Sequence, residues 1–291
     1  MNDRTIQVRP VAGADRRIGI VNARHGVFLF PVQDFVGQLL AAYGEWSEPA
    51  VAVLTPLLRP GDVAIDVGAN IGTLAVPMAR TVGSTGQIHA FEPQPMMFRL
   101  LNANAALNGL DQMRLHHMAL GSVDGHLPMP AIDYTRPSNY SALSFSAAKP
   151  QPDASQTSVP IRRLDDVLAS LDRCRLLKVD VEGMEPAVLD GARALIDRHR
   201  PVLYLEANQR HAFDEILERL NRLGYRAYWH AFAGFNPANF AKNPTNYTGV
   251  AGDVNLLCVP GDGSVQIAGL HPATDFDEVD RYFPGVLSDR R

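Results

Sequence analysis

Between residues 61 and 223 the sequence alternates short β-rich runs with helical periodicities, and this alternation constrains the fold more than any other feature. It is the signature of a parallel sheet with helices on both faces. DVAIDVG (62–68) reads as the first buried strand. After it, Ile71, Leu74, Ala75, Met78, Ala79 and Val82 recur at the three-and-four spacing of a helix, with Pro77 inside the pattern predicting a kink. GQIHAFE (86–92) is the second strand. The helix that follows carries Met96, Leu100, Ala103 and Leu107 on one face and stops at Asn108-Gly109. MRLHHMALG (113–121), RLLKVDVEG (175–183) and VLYLEAN (202–208) are the third to fifth strands. Pro186 opens one helix, with Val188, Ala192, Leu195 and Ile196 as its buried face. Gly224 closes another, built on Phe213, Ile216, Leu217 and Leu220. GYRAYWHAF and VNLLCVP add further β structure.

Around this core, IGIVNARHGVFLF predicts a hairpin ahead of a helix through QDFVGQLLAAYGEW, so residues 1–60 form an N-terminal extension. The main domain runs over 61–260, and 261–291 is a tail of little periodicity. Two segments break the rhythm: 122–160, rich in Pro, Ser and Ala, and 231–253, where Gly, Asn and Pro alternate with aromatics. Both are expected to leave the sheet on the ligand side, the first as a lid or a mobile segment.

In a doubly wound sheet the ligand meets the backbone at the first strand-to-helix turn, which here is DVGANIG (66–72). A dinucleotide fingerprint needs G-x-G-x-x-G so that pyrophosphate can approach bare backbone, and Asn70 interrupts it. Asp66 at the strand tip would repel a pyrophosphate and attract an ammonium. The second strand ends at Glu92, where an acidic side chain can accept two ribose hydroxyls. S-adenosylmethionine, with an ammonium, a sulfonium and no phosphate, fits both ends.

The chain resembles the FkbM family of S-adenosylmethionine-dependent methyltransferases. The likeness rests on DVGANIG (66–72), FEPQP (91–95), NANAALNGL (102–110), HMALGS (117–122), RLDDVL (163–168), LLKVDVEGMEPAVLDGA (176–192) and PVLYLEAN (201–208), and covers roughly 18–260. It implies an α/β class I methyltransferase fold, Rossmann-like, with a seven-stranded, mostly parallel sheet and helices on both faces. It also implies Gly68, Ala69 and Asn70 near the methionine end of the cofactor, Glu92 on its ribose, and Pro93, Met118 and Ala119 around its adenine. Glu45 and Glu48, in YGEWSE, match a family segment that reaches the cofactor; solvated helix charges are the other reading.

KVDVEG puts Asp180 and Glu182 at the fourth strand's carboxyl end, and LYLEAN puts Glu206 and Asn208 at the fifth's. Methyl transfer is an in-line displacement, and an aliphatic hydroxyl must also lose a proton. Asp180, Glu182 and Glu206 are therefore candidate catalytic groups, one of them a base. A divalent metal on Asp180, Glu206 and Asn208 is an alternative, as is a purely structural role in which Asp180 binds cofactor, Glu182 caps the next helix and Glu206 pairs with an arginine. His116 and His117 read as structural, while His211 and His230 fall near the site mouth. Tyr228, Trp229, Phe232 and Phe235 either line an acceptor pocket or pack under a loop.

A net charge of −4, spread along the chain, leaves no basic stripe for nucleic acid. NPTNY (243–247) is similar to the motif of amino-group methyltransferases but lies far from the fourth strand, where that motif belongs. The two cysteines, Cys174 and Cys258, sit in apolar runs and suggest neither a disulfide nor a metal site. MNDRTIQVRP has no signal-like apolar region and no long apolar run follows, so a soluble cytoplasmic protein away from membranes is expected. The expected activity is O-methylation of a small hydroxylated acceptor, a sugar or secondary metabolite. A nicotinamide-dependent oxidoreductase and a non-catalytic cofactor-binding scaffold are the alternatives, and a homo-oligomer is left open.

Overall fold

The computed structural model of the chain describes residues 9–10, 17–140 and 158–287, so 141–157, within the predicted 122–160 insertion, lie outside the described residues. In chain order, β1 (Arg9–Pro10), β2 (Ile18–Ala23) and β3 (Gly26–Pro31) form a small antiparallel sheet ahead of α1 (Phe35–Tyr43) and α2 (Glu48–Leu54). Then come β4 (Val63–Val67), α3 (Ala75–Val82), β5 (Gln87–Phe91), α4 (Pro95–Leu107) and β6 (Met113–His116). Next are β7 (Ala119–Leu120), β8 (Gly125–Pro128), β9 (Ser158–Arg162) and α5 (Leu164–Val167), followed by β10 (Leu176–Val179), α6 (Glu185–Gly191) and α7 (Arg193–His199). The chain continues through β11 (Val202–Glu206), α8 (Arg210–Leu223), β12 (Tyr225–Ala233), β13 (Gly252–Pro260) and α9 (Glu278–Tyr282).

The central sheet has seven strands in the order β12-β13-β11-β10-β4-β5-β6, all parallel except β13. This is the seven-stranded, mostly parallel sheet expected. The order reverses between β4 and β10, because the chain builds outward to β6 and then returns to the other side of β4. A crevice therefore opens at the carboxyl ends of these two strands. One apolar layer, including Leu54, Val76, Met78, Leu101 and Tyr204, lies beneath α2, α3 and α4. The other, including Ile65, Val188, Ile196, Phe213 and Trp229, lies beneath α5 to α8.

Several local expectations change. Pro77 is the third residue of α3, in the first turn, where a backbone N–H has no helical partner to lose, so no kink is needed. The α4 face is rotated: Met97, Leu101 and Asn104 are buried, while Leu107 is half exposed. The cause is polar. Asn104 and Asn108 imitate a strand edge for β3, accepting from Leu29 N (2.7 Å) and Val27 N (3.0 Å) and donating to the same residues' carbonyls. The predicted third strand divides in two, because His117 turns away to stack on Phe98 and contact the Pro93 carbonyl (3.1 Å), after which β7 joins a second small sheet with β9 and β8.

The single helix predicted after the fourth strand also divides, at Ala192. Gly191 passes so close to Gly121 that a Cβ would lie 1.9 Å from its carbonyl oxygen, and Asp165 caps the new helix by accepting from Ala194 N and Leu195 N. The tail is not loose, since Val279, Val286 and Leu287 are buried and Glu278 accepts from the Trp229 indole (3.2 Å). Among the described residues no helix is long and apolar enough to cross a membrane.

Candidate active site

The turn after β4 is fixed from beneath by β5. Gly68 N and Ala69 N both donate to the Phe91 carbonyl (3.0 and 2.9 Å), and Asn70 N donates to Glu92 Oε2 (2.8 Å). Gly68 has a φ of +76°, and a Cβ there would lie 1.9 Å from the Asp180 carbonyl oxygen, so the position admits only glycine. Asn70 adopts the left-handed region (φ 50°), which asparagine tolerates better than most residues. The interruption that disfavoured a dinucleotide is thus also a conformational requirement of the turn.

Glu92 directly follows β5 and is 4% exposed. Its second oxygen accepts from Gln94 N (2.8 Å), so the carboxylate clamps both the DVGANIG turn and the start of α4, and each oxygen keeps one lone pair. Burial pushes the carboxyl up from 4.5 to about 7, against the lowering effect of the two backbone donors. This has a measurable consequence. The folded state holds its proton between pH 4.5 and about 7 while the unfolded chain releases it, so stability falls as pH rises through that window and levels off above it. At about 1.4 kcal/mol per pH unit the loss is about 3 kcal/mol. Denaturant unfolding of ligand-free protein at pH 5 and pH 7.5 will show a change in stability that differs between the parent and Glu92→Gln by about this amount, the parent losing more. Asp34, raised by burial to about 6, and the buried carboxyls of Asp66, Glu185 and Glu206, raised as well, supply declines that stay in the variant, while His89 and His230, lowered by burial to about 4, oppose them. Equal declines in the two proteins would refute this role for Glu92.

Asp66 is fully buried within β4, and Lys178 is the partner that sequence reasoning missed. β10 pairs Lys178 in register with Asp66, and the ammonium lies 2.9 Å from Asp66 Oδ1 and 3.5 Å from Asp180 Oδ2. It also donates to the carbonyls of Gly68 (2.8 Å) and Val67 (3.3 Å). Burial raises the Asp66 carboxyl and Lys178 opposes that rise. Burial by itself lowers the Lys178 ammonium, but Asp66 and Asp180 outweigh it and hold the ammonium above its ordinary range. The Asp66 charge is thus already answered from within the protein.

Asp180, Glu182 and Glu206 come together, each offering an oxygen within 4.8 Å of the others. Glu206 is buried. Its oxygens accept from Glu182 N (3.3 Å) and from the Asn208 amide, and it shares a hydrogen bond with Asp180. Burial, then the carboxylates of Asp180, Glu182 and Glu185, hold it well above the usual range, so of the hydrogen-bonded pair Glu206 is the one that keeps the shared proton. Asn208, expected from sequence as a third metal ligand beside Asp180 and Glu206, turns its oxygen to Val254 N (2.9 Å), and Glu182 supplies the third carboxylate of the cluster. Nor does Glu182 cap the next helix. Glu185, also missed, holds the turn by accepting from Val181 N (2.8 Å) and Gly183 N (3.1 Å).

These groups line one cleft of about 1190 Å³, counting the solvent at its mouth. Pro93, Met118 and Ala119 form its β5 end, and Asn208, Asp253, Asn255 and Phe232 its β13 end. Its lining holds six carboxylates, Asp66, Glu92, Asp180, Glu182, Glu206 and Asp253, against the single ammonium of Lys178, among the described residues. Such a wall repels phosphate and attracts a cation. A sulfonium nucleoside suits this donor set.

Glu45 and Glu48 are not brought to this cleft. Glu45 binds Arg24 (2.7 Å), Asn236 (2.6 Å) and Phe240 N (2.9 Å), tying the 236–240 segment to the hairpin, while Glu48 contacts His25 (2.7 Å). Both border a smaller annex that shares Trp46, Ser47, Phe232 and Asp253 with the cleft. His116 stacks on Phe91 and His211 is exposed. His230 lies under the floor, bonded to Tyr204 (2.8 Å). Of the four aromatics, Phe232 lines the cleft, whereas Trp229 packs on Phe213 in the opposite layer.

Several known proteins are similar to this chain. Residues 66–227, more than half of the chain, match the methyltransferase FkbM domain. Methyltransferase 1 of Beauveria bassiana is 33% identical over 150 residues, 46% of this chain and 59% of that protein. The 31-O-demethyl-FK506 methyltransferase FkbM of Streptomyces tacrolimicus is 43% identical over 67 residues, 23% of this chain and 22% of that protein. The chain thus spans less than two thirds of either relative's length. Among solved structures, methyltransferase FkbM of Methylobacillus flagellatus superimposes with a TM-score of 0.46 at 18% identity, covering 73% of this chain and 48% of that one.

Proposed function

This chain belongs to the FkbM methyltransferase family, and from that premise we propose that it methylates a hydroxyl oxygen of a small-molecule acceptor with S-adenosylmethionine as donor. The observation that carries the reading is the convergence of Asp180, Glu182 and Glu206 at the carboxyl ends of β10 and β11, across the sheet's switch point from Glu92 and the DVGANIG turn. The oxygen in the acceptor name of the Streptomyces relative supports the same choice of atom.

Bound S-adenosylmethionine supplies the methyl group as an electrophile. Glu92, with one lone pair free on each oxygen, holds the ribose hydroxyls, and the glycine turn admits the amino-acid end. Asp180, the partly exposed member of the pair, receives the hydroxyl proton as the oxygen takes up the methyl. Glu206, buried and protonated, keeps Asp180 oriented through their hydrogen bond. Alignment of the reacting groups supplies much of the rate.

The same three carboxylates would also suit an oxygen-ligated divalent ion, which would make the acceptor hydroxyl more acidic. Proton sharing between Asp180 and Glu206 satisfies the cluster without one. A panel of hydroxylated acceptors assayed for methyl transfer from labelled cofactor, before and after EDTA, tests both readings. Transfer to a hydroxyl that survives chelation supports the carboxylate base. Loss reversed by Mg²⁺ moves the task to an ion, and transfer only to nitrogen acceptors would overturn the reading.

A further inference from the structure

FEPQP brings two polar side chains to the cleft, Glu92 and, two residues on, Gln94. Gln94 stands at the start of α4 with an extended backbone (φ −71°, ψ 122°), yet its side chain caps no N–H of that helix. It is 4% exposed, and the protein treats the two ends of its amide differently. Nε2 donates to the Tyr140 carbonyl (2.8 Å), whereas Oε1 is buried with no hydrogen-bond partner among the described residues. A carbonyl can only accept, so turning the amide over would set two acceptors against each other. The bond to Tyr140 therefore fixes which end of Gln94 is left for a ligand.

Tyr140 is itself held from the start of α1. Asp34 is fully buried, and its two carboxylate oxygens accept from Gly37 N (3.0 Å) and Tyr140 N (3.1 Å). Beside it Ser138 N donates to the Gln33 carbonyl and Phe35 N to the Ser138 carbonyl (3.0 Å each), so the chain leading to Tyr140 runs against this segment as a strand would. Asp34, Tyr140 and Gln94 thus form a relay of hydrogen bonds from the N-terminal extension to the cleft wall.

A buried acceptor without a donor is completed by a ligand that brings one. Glu92 is the carboxylate assigned above to the ribose hydroxyls, and two residues of chain put the Cα of Gln94 at most about 7 Å from that of Glu92. The same scale separates the ribose hydroxyls of a nucleoside from the group on the six-membered ring of its base. Val36, Pro93, Met118 and Leu127 give the cleft apolar surface suited to the faces of a flat base. At that ring position adenine carries an amino group, which donates, whereas hypoxanthine and guanine carry a carbonyl, which accepts. We propose that Gln94 reads the exocyclic amino group of the cofactor's base, accepting from it through Oε1, and that Asp34 is a positioning residue that fixes this reading through Tyr140. The proposal rests on the S-adenosylmethionine part of the reading above.

The probes are S-adenosylhomocysteine and S-inosylhomocysteine, which carries a carbonyl in place of the amino group, each titrated by calorimetry into the full chain. The wild-type protein is expected to bind the adenosyl compound at least about tenfold more tightly. The ratio of the two affinities is the readout, because a loosened fold weakens both compounds alike. Gln94→Met keeps the bulk and removes both polar ends, and it is expected to cut the ratio about tenfold. Asp34→Ala is expected to lower the ratio as well, since a released amide can turn Nε2 toward the inosyl carbonyl. If Gln94→Met binds neither compound, Gln94→Asn, whose oxygen is set back by a methylene, decides by the same ratio. Equal binding of the two compounds to the wild-type protein, or a ratio that the Gln94 variant leaves unchanged, overturns the base reading alone. A ratio lost in Gln94→Met and kept in Asp34→Ala removes Asp34 from the positioning. Binding of neither compound to the wild-type protein refutes the cofactor reading and the proposal with it. No acceptor is present in these titrations, so their outcome is independent of which acceptor atom is methylated.

Discussion

The Lys178→Met variant is expected to unfold with about 3–5 kcal/mol less free energy than the parent. Lys178 is 2% exposed and Asp66 is 0% exposed, so removing the ammonium leaves a carboxylate inside the sheet with no cation beside it. It also removes the donor that ties the carbonyls of Val67 and Gly68 to β10. The cost comes from stranding the remaining charge, more than from any net strength of the pair. Adding Asp66→Asn to Lys178→Met should therefore recover part of the loss, because a neutral amide is cheaper to bury than a carboxylate. Urea denaturation of the three variants reads this directly. A loss below about 1 kcal/mol for Lys178→Met, or no recovery in the double variant, would show that the pair does not hold the switch point together.

The second large effect falls on chemistry. Asp180→Asn keeps the side chain's shape and removes its basicity, so kcat should fall by about 10²–10⁴. Affinity for S-adenosylhomocysteine should change little, since the proposed cofactor contacts of Glu92 and of the DVGANIG turn do not involve the Asp180 side chain. Glu206→Gln should cost less, because a glutamine can still donate to Asp180, as the protonated Glu206 does. A variant that loses cofactor binding and turnover together would mean that Asp180 holds the cofactor. One that retains full turnover would remove Asp180 from the proton transfer.

How much of this was readable in the sequence depends on whether a residue's role is set by its own strand or by a neighbour's. Glu92 was legible because a carboxylate immediately after a β run, one unit beyond a glycine turn, has a predictable place in a parallel sheet. Asp180, Glu182 and Glu206 were legible for the same reason, since adjacent parallel strands bring their carboxyl ends together. Lys178 was not. It sits within LLKV, one residue from apolar neighbours on both sides, and only the β10–β4 register sets its ammonium against Asp66. Asn255 was hidden in VNLLCV, which reads as buried core. Its position depends on β13 entering antiparallel between β11 and β12, a pairing that local periodicity cannot reveal.

The helix boundaries failed for a related reason. Contacts with distant segments set them: Gly191 against Gly121, Asp165 on the start of α7, and the Asn104 and Asn108 amides on the hairpin. Glu45 and Glu48 show the reverse, since a matching local segment suggested a reach to the cofactor. The fold instead gives Glu45 to Arg24 and the 236–240 segment, and Glu48 to His25.

Calorimetric titration tests directly the assignment of S-adenosylmethionine to Glu92 and the DVGANIG turn. S-adenosylhomocysteine should bind the wild-type protein with a micromolar dissociation constant and Glu92→Ala at least about tenfold more weakly, while NAD gives no heat. Binding of NAD without S-adenosylhomocysteine, or S-adenosylhomocysteine affinity unchanged in Glu92→Ala, would contradict it.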